Sequence, residues 1–153
     1  MPISEITVVH AVEFSETDAA GLVHFSNYFR YMEKAERELF SQANIPLVVD
    51  DGTLFFGWPR VNASCDFCAP LRFGDRVSIH LSIQEISRKA IRYRVRFTRN
   101  EPEDGTLVAS GGMTALSAHL DRVKKTIATH PAGESILERL AAQLKPDKES
   151  GIS

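Results

Sequence analysis

TDAAGLVHFSNY, residues 17–28, is the stretch from which the rest of the chain can be laid out. It places one carboxylate, Asp18, in a small turn that ends on Gly21. Beyond it the pattern changes: Tyr28, Met32, Ala35 and Leu39 recur at helical spacing, with Phe29 and Phe40 widening the apolar face. Glu33/Arg37 and Lys34/Glu38 stand four apart, as pairs on a helix surface do. Pro46 follows soon after, so the spacing predicts a helix from about 26 to 43. A carboxylate just before a helix start lies beside unpaired N–H groups and the positive end of the helix dipole, where an oxyanion can be held.

Upstream, residues 6–14 read ITVVHAVEF, short and rich in β-branched side chains, which favours a strand. Downstream, residues 54–67 are apolar and aromatic but interrupted by Gly57 and Pro59, as in a bent or bulged strand. After Gly74-Asp75 the alternation is clean. Val77, Ile79, Leu81 and Ile83 share one face, and Ile91, Tyr93, Val95 and Phe97 repeat it across a turn at 87–90. Residues 107–118 and 123–128 read as closing strands, the first with Gly111-Gly112 as a bulge. Ile136, Leu137, Leu140 and Leu144 give helical spacing over 131–144, before a frayed tail. Strand, long helix and meander make an α+β pattern in which one sheet curls around the helix. A single domain over 1–153 is expected, with its core at about 6–128.

Composition excludes little else. The chain has 153 residues, 43% apolar and 25% charged, with a formal net charge of −2, which gives no reason to expect nucleic acid or a membrane surface as partner. Neither a signal peptide nor a membrane span is read from the sequence. Two cysteines make no disulfide framework, so a cytoplasmic location is expected.

Asp18 can be a turn residue bonding local backbone, or a nucleophile or general base beside the helix start. Gly21 permits close backbone approach, and Leu22-Val23 would exclude water. His24 reads either as a proton handler or as a ring packed at the helix entry. Asn27 can cap the helix or position a substrate, and Tyr28 fits the core or the substrate pocket. Arg88, Lys89, Arg92, Arg94, Arg96 and Arg99 hold six of the eighteen basic residues. Most of these form a solvated strand face, but Arg88 and Lys89 sit at a hairpin tip, where phosphate could be gripped. Cys65 and Cys68 match Cys-x-x-Cys, yet three residues apart on a strand they point to opposite faces, and no second pair completes a metal site. No Gly-x-Ser-x-Gly elbow marks a serine hydrolase.

Residues 14–28, FSETDAAGLVHFSNY, resemble the signature of hotdog-fold acyl-CoA thioesterases of the 4-hydroxybenzoyl-CoA thioesterase type. The likeness continues through 59–67, Gly74-Asp75 and Arg88-Lys89, about 6–128 in all. It implies a central helix wrapped by an antiparallel sheet, a homodimer joined edge to edge with sites at the interface, and pairing into a homotetramer. It also implies that Asp18 attacks a thioester carbonyl or activates water, that the Phe25 N–H forms the oxyanion hole, and that Arg88 and Lys89 contact coenzyme A phosphates. Neither a cofactor nor a metal is implied. Relatives often carry Tyr or His where this chain has Phe25, and an aromatic residue where it has His24. Some use a helix glutamate, which makes Glu33 an alternative to Asp18. The competing reading is a non-catalytic hotdog module binding acyl thioesters or a protein partner. A dehydratase-like enzyme would show a paired His and acid at other spacings, absent here.

Overall fold

The computed structural model describes residues 3–101 and 105–140. The chain begins with β1 (Glu5–Ala11), a 3-10 turn at Phe14–Glu16 and the long helix α1 (Ser26–Gln42). There follow β2 (Val49–Asp50), β3 (Leu54–Gly57), β4 (Arg60–Phe67), β5 (Arg76–Ile86) and β6 (Ala90–Glu101). The chain continues as β7 (Leu107–Leu116), β8 (Ala118–Asp121), β9 (Thr126–Thr129) and α2 (Glu134–Arg139). The main antiparallel sheet has the order β1-β5-β6-β7-β4. Alternation drives its assembly: Val77, Ile79, Leu81, Ile91, Val95 and Phe97 have no exposure, Tyr93 has 2%, and Ile83 has 8%. Met32, Ala35, Leu39 and Phe40 of α1 are likewise closed to solvent. Burying each of the three larger side chains contributes about 2 kcal/mol.

Four expectations about strands and helix bounds need correction. The strands form two sheets, not one, because β2-β3-β8-β9 departs as a second, four-stranded sheet. The break falls at Pro59, which has no N–H, and at Ser117, whose N–H turns away to the Lys89 carbonyl. Gly111-Gly112 is not a bulge: Gly111 pairs in register with Cys65 and Val95, and Gly112 with Ser64 and Arg94. A Cβ on Gly111 would strike the Ser64 carbonyl, and one on Gly112 the Tyr93 carbonyl, so the pair serves close strand approach. The last strand starts at Thr126 rather than 123, because the Asp121 carboxylate accepts the Val123 and Lys124 N–H groups and makes a turn there. Helix α2 spans only Glu134–Arg139; the rest of its expected length beyond 140, with the tail, lies outside the described residues.

Lys34 does not follow its expected pairing with Glu38, since its ammonium lies 2.9 Å from His10 Nδ1. Glu36, an acid inside the helix's apolar face, is 1% exposed and paired with Arg60 of β4. Burial raises the Glu36 pKa, while the Arg60 charge opposes the rise. Arg60→Ala should strand that carboxylate and cost about 3 kcal/mol at neutral pH. Because the Glu36 pKa is raised, the loss should shrink as pH falls and the group takes up a proton, which denaturant titration at two pH values will read. Equal losses at both would detach Glu36 from the effect.

Candidate active site

The chain between β1 and α1 closes into a loop. Thr17 and Val23 form an isolated antiparallel bridge, and the Asp18 N–H donates to the Leu22 carbonyl at 2.8 Å. The Gly21 N–H returns to the Asp18 carbonyl at 2.9 Å, with Gly21 at φ +78°, a conformation that favours glycine. Within this loop Asp18 Oδ1 accepts the Ala20 N–H at 2.8 Å and the Leu22 N–H at 3.4 Å. The turn role therefore engages one carboxylate oxygen; no hydrogen bond forms to Oδ2 among the described residues, and the residue is exposed. The loop is held to the sheet by the Val23 N–H, which donates to the Leu71 carbonyl at 2.8 Å, and by a bridge between Leu22 and Arg72.

Just before Phe25, the N-cap residue of α1, stands His24. Its Nδ1 lies 2.8 Å from Ser26 Oγ and accepts the Ser26 N–H at 3.3 Å, while its carbonyl accepts the Asn27 N–H at 2.9 Å. Since Nδ1 accepts, a neutral ring carries its proton on Nε2. The ring is exposed and packs on Phe25 with centroids 4.5 Å apart. The Phe25 N–H meets no acceptor among the described residues, as the end of a helix leaves its first donors. Asn27 is 8% exposed and points inward, its amide donating to the Glu16 carbonyl at 2.9 Å.

Beside this helix entry lies an open cavity of about 330 Å³, lined by Leu22, Val23, Phe25, Tyr28, Phe67 and Pro70, among others. Tyr28 is 3% exposed and meets Phe67 and Phe97 edge-on at 5.0 and 5.4 Å. Burial pushes its phenol up to about 12, so it stays protonated at neutral pH and is no base. Cys65 and Cys68 are free thiols. Cys68 lies past the end of β4 and lines the same cavity, while burial pushes the Cys65 thiol up to about 11. No metal-holding cluster occurs among the described residues.

Arg88 and Lys89 lie elsewhere. Asp18's loop is anchored near the start of β5, whereas the hairpin tip follows its end. An eleven-residue strand at about 3.3 Å per residue separates them by roughly 30 Å within one chain. At the tip Arg88 reaches Glu134 at 3.5 Å, with both side chains well exposed. Arg92, Arg94 and Arg96 are exposed on the outer face of β6, where Arg92 pairs with Glu85 at 2.8 Å. Glu33 lies on α1 outside its buried face.

Sequence patterns pass over Glu16. Its carboxylate accepts the Glu13 N–H at 2.8 Å and lies 2.8 Å from His10 Nε2. Burial works against the charge, but the Glu13 N–H and the His10 ring more than offset it, so the pKa is lowered. Only the Glu16-x-x spacing from Glu13, a short capping pattern, could have marked it.

Similarity to known proteins bears on this geometry. A model of the Thioesterase-like superfamily matches residues 12–140. A 4-hydroxybenzoyl-CoA thioesterase from Pseudomonas sp. (strain CBS-3) is 32% identical over 101 residues, 63% of this chain and 70% of that protein. A protein of Aquifex aeolicus (strain VF5) is 40% identical over 79 residues, which are 50% of this chain and 59% of that one, less than two thirds of its length. A 1,4-dihydroxy-2-naphthoyl-CoA thioesterase from Synechocystis matches in structure with a TM-score of 0.76 at 22% identity, covering 93% of this chain and 99% of that one. The last likeness is one of fold, and it agrees with a long helix against curled antiparallel strands.

The lowered Glu16 pKa gives a signed expectation. Its stabilisation is complete above the ordinary carboxylate value of 4.5 and is lost as pH falls through the lower folded value. Glu16→Gln should therefore flatten the acid side of the stability curve in denaturant titrations from about pH 6 to about pH 3. A curve of unchanged slope would remove this carboxylate from the network.

Proposed function

We infer, from the premise that the chain belongs to the Thioesterase-like superfamily with its α+β hotdog fold, that it is a thioester hydrolase releasing coenzyme A from an acyl or aromatic-acyl thioester. The observation that carries the reading is the pairing of Asp18 with an unused Phe25 N–H across one closed loop. Neither residue alone would suffice. Asp18 supplies negative charge from an oxygen outside the turn bonds, either to attack the carbonyl carbon or to take a proton from water. The Phe25 N–H, at the positive end of α1, offers a preorganised donor to the oxygen on which charge develops. His24 carries an exposed Nε2–H beside them, a donor that can hydrogen-bond the sulfur as charge develops on the departing thiolate, the proton itself coming from solvent. Gly21 keeps the turn tight without a side chain, and Asn27 supports the helix entry from below. Tyr28 and Phe67 offer an aromatic wall to the acyl group, which favours a flat ring among the substrates.

The separation of Arg88 and Lys89 from Asp18 supports a homodimer as the working unit, the phosphates being gripped by a second copy. β4 is a free edge of the main sheet, with Val61 56% and Phe67 50% exposed, and an uncovered edge of this kind invites pairing. Further pairing to a homotetramer belongs to the same proposal, and sedimentation will give the state. The two free thiols fit a cytoplasmic location, and no described helix is long and apolar enough to cross a membrane.

A thiol-release assay over a panel of aromatic and aliphatic acyl-CoAs tests the activity. Turnover of none would favour a binding module instead. Asp18→Asn should lower kcat by about a hundredfold or more while keeping the shape of the turn. Near-full activity would remove Asp18 from the chemistry. Changing Arg88 and Lys89 to Ala should raise KM more than it lowers kcat, since phosphate contacts bind ground and transition states alike.

A further inference from the structure

Glu16 stands two residues before Asp18, and four parts of the fold converge on it. Its carbonyl accepts the His24 N–H and the Asn27 side-chain amide, each at 2.9 Å. Both donors flank the Phe25 N–H, and the carbonyl lies one residue outside the bridge between Thr17 and Val23. The Glu16 carboxylate reaches the other way, to the Glu13 N–H and to His10 of β1. His10 in turn packs on Tyr31 of α1, with ring centroids 4.8 Å apart, and its Nδ1 is 2.9 Å from the Lys34 ammonium. An ammonium only donates, so Nδ1 accepts and the ring proton resides on Nε2, aimed at Glu16. Lys34, His10 and Glu16 thus form one directed chain from the third turn of α1 through β1 to the loop. The His10 and Glu16 side chains are 12% and 16% exposed, so water competes weakly for these bonds.

We propose that Glu16 is the positioning residue of this site, clamping residues 17–23 to the first turn of α1 so that the Asp18 carboxylate and the Phe25 N–H address one thioester carbonyl. Two members of the site come from opposite ends of the loop, which is closed by the Thr17–Val23 bridge and the Asp18 N–H bond to the Leu22 carbonyl and fastened to residues 71–72. None of these bonds reaches α1 or β1, and that constraint is the one still missing. Glu16 supplies the missing constraint twice, through its main chain to α1 and through its side chain to β1. An error of about 1 Å between reacting groups costs on the order of a hundredfold in rate, so a clamp here acts on kcat. Coenzyme A contacts at the distant hairpin tip are untouched, which leaves KM alone. A residue that only stabilised the 3-10 turn would change melting and leave the kcat of the folded enzyme intact.

The proposal rests on the thioesterase reading, and the experiment separates the two. Glu16→Ala should lower kcat by about tenfold or more with KM within about twofold, and Glu16→Gln, which keeps an acceptor in place, should recover most of the loss. Nitrogen-15 spectra should show His10 as the neutral Nε2–H tautomer in the wild type, and in Glu16→Ala the Nε2 resonance should shift as its acceptor is lost while Lys34 still holds Nδ1. A kcat in Glu16→Ala close to wild type, or a loss expressed in KM alone, overturns the clamp. Should Glu16→Ala fail to fold, Lys34→Met removes only the outer donor. It should shift the His10 Nδ1 resonance, whose donor is lost, and lower kcat, and no change in either overturns the proposal. If the wild type hydrolyses no acyl-CoA, the thioesterase reading fails and the clamp is read from the His24 amide. Exchange accelerated by about tenfold in the Glu16 or Lys34 variant supports it, and unchanged exchange overturns it.

Discussion

Tyr31, Met32, Ala35, Glu36, Leu39 and Phe40 of α1 are each 2% exposed or less, and covering that much of one helix is the constraint from which the architecture follows. A flat sheet covers a stripe; a wide face needs strands that twist and wrap. The inward rows of β5 and β6 supply the floor of this wrap, and Gly111-Gly112 let β7 draw close to both its neighbours. Once the sheet has closed over the buried length of the helix, two of the features left uncovered bear on the proposed site. One is the edge strand β4, and the other is the helix entry at Ser26, where backbone donors stay available. The proposed chemistry is assigned to the second, which the fold leaves open.

The entry is organised by polar contacts rather than by apolar packing. His24 accepts the Ser26 N–H, Asn27 turns inward to Glu16, and Asp18 spends one oxygen on its own turn. These bonds fix backbone in a region where few apolar side chains are buried. Beside them, Val23, Tyr28 and Phe67 form a wall with no ionised group at neutral pH. The Phe25 N–H and an apolar cavity therefore adjoin at the helix entry, with the Asp18 turn a few residues before them, each supplied by a different kind of local structure.

Much of this was legible along the chain, and the limits have a physical cause. The helix over 26–43 and the faces of Val77–Ile83 and Ile91–Phe97 rest on periods of 3.6 and 2 residues, which burial on one side imposes locally. The loop at Asp18 was readable because Gly21 and a helix start sit within a few residues of it. Glu36 with Arg60, and Lys34 with His10, are each 24 residues apart in sequence, and pairings of that range leave no periodic trace. The second sheet was missed for a related reason. Pro59 announces a break on one strand, but the matching break at Ser117 depends on the Lys89 carbonyl, which only the folded hairpin brings near.

The distance between the Asp18 loop and the Arg88-Lys89 tip has a genetic consequence. If each site takes its acid from one copy and its phosphate grip from another, a chain lacking the acid and a chain lacking the cations are complementary lesions. Combined in a mixed dimer, they place both defects in one site and leave the other whole. Two inactive proteins would then restore activity when unfolded and refolded together, with a ceiling set by the share of mixed pairs. In a cell carrying both alleles, the damage from either would be partial, and its extent would follow the ratio of the two chains.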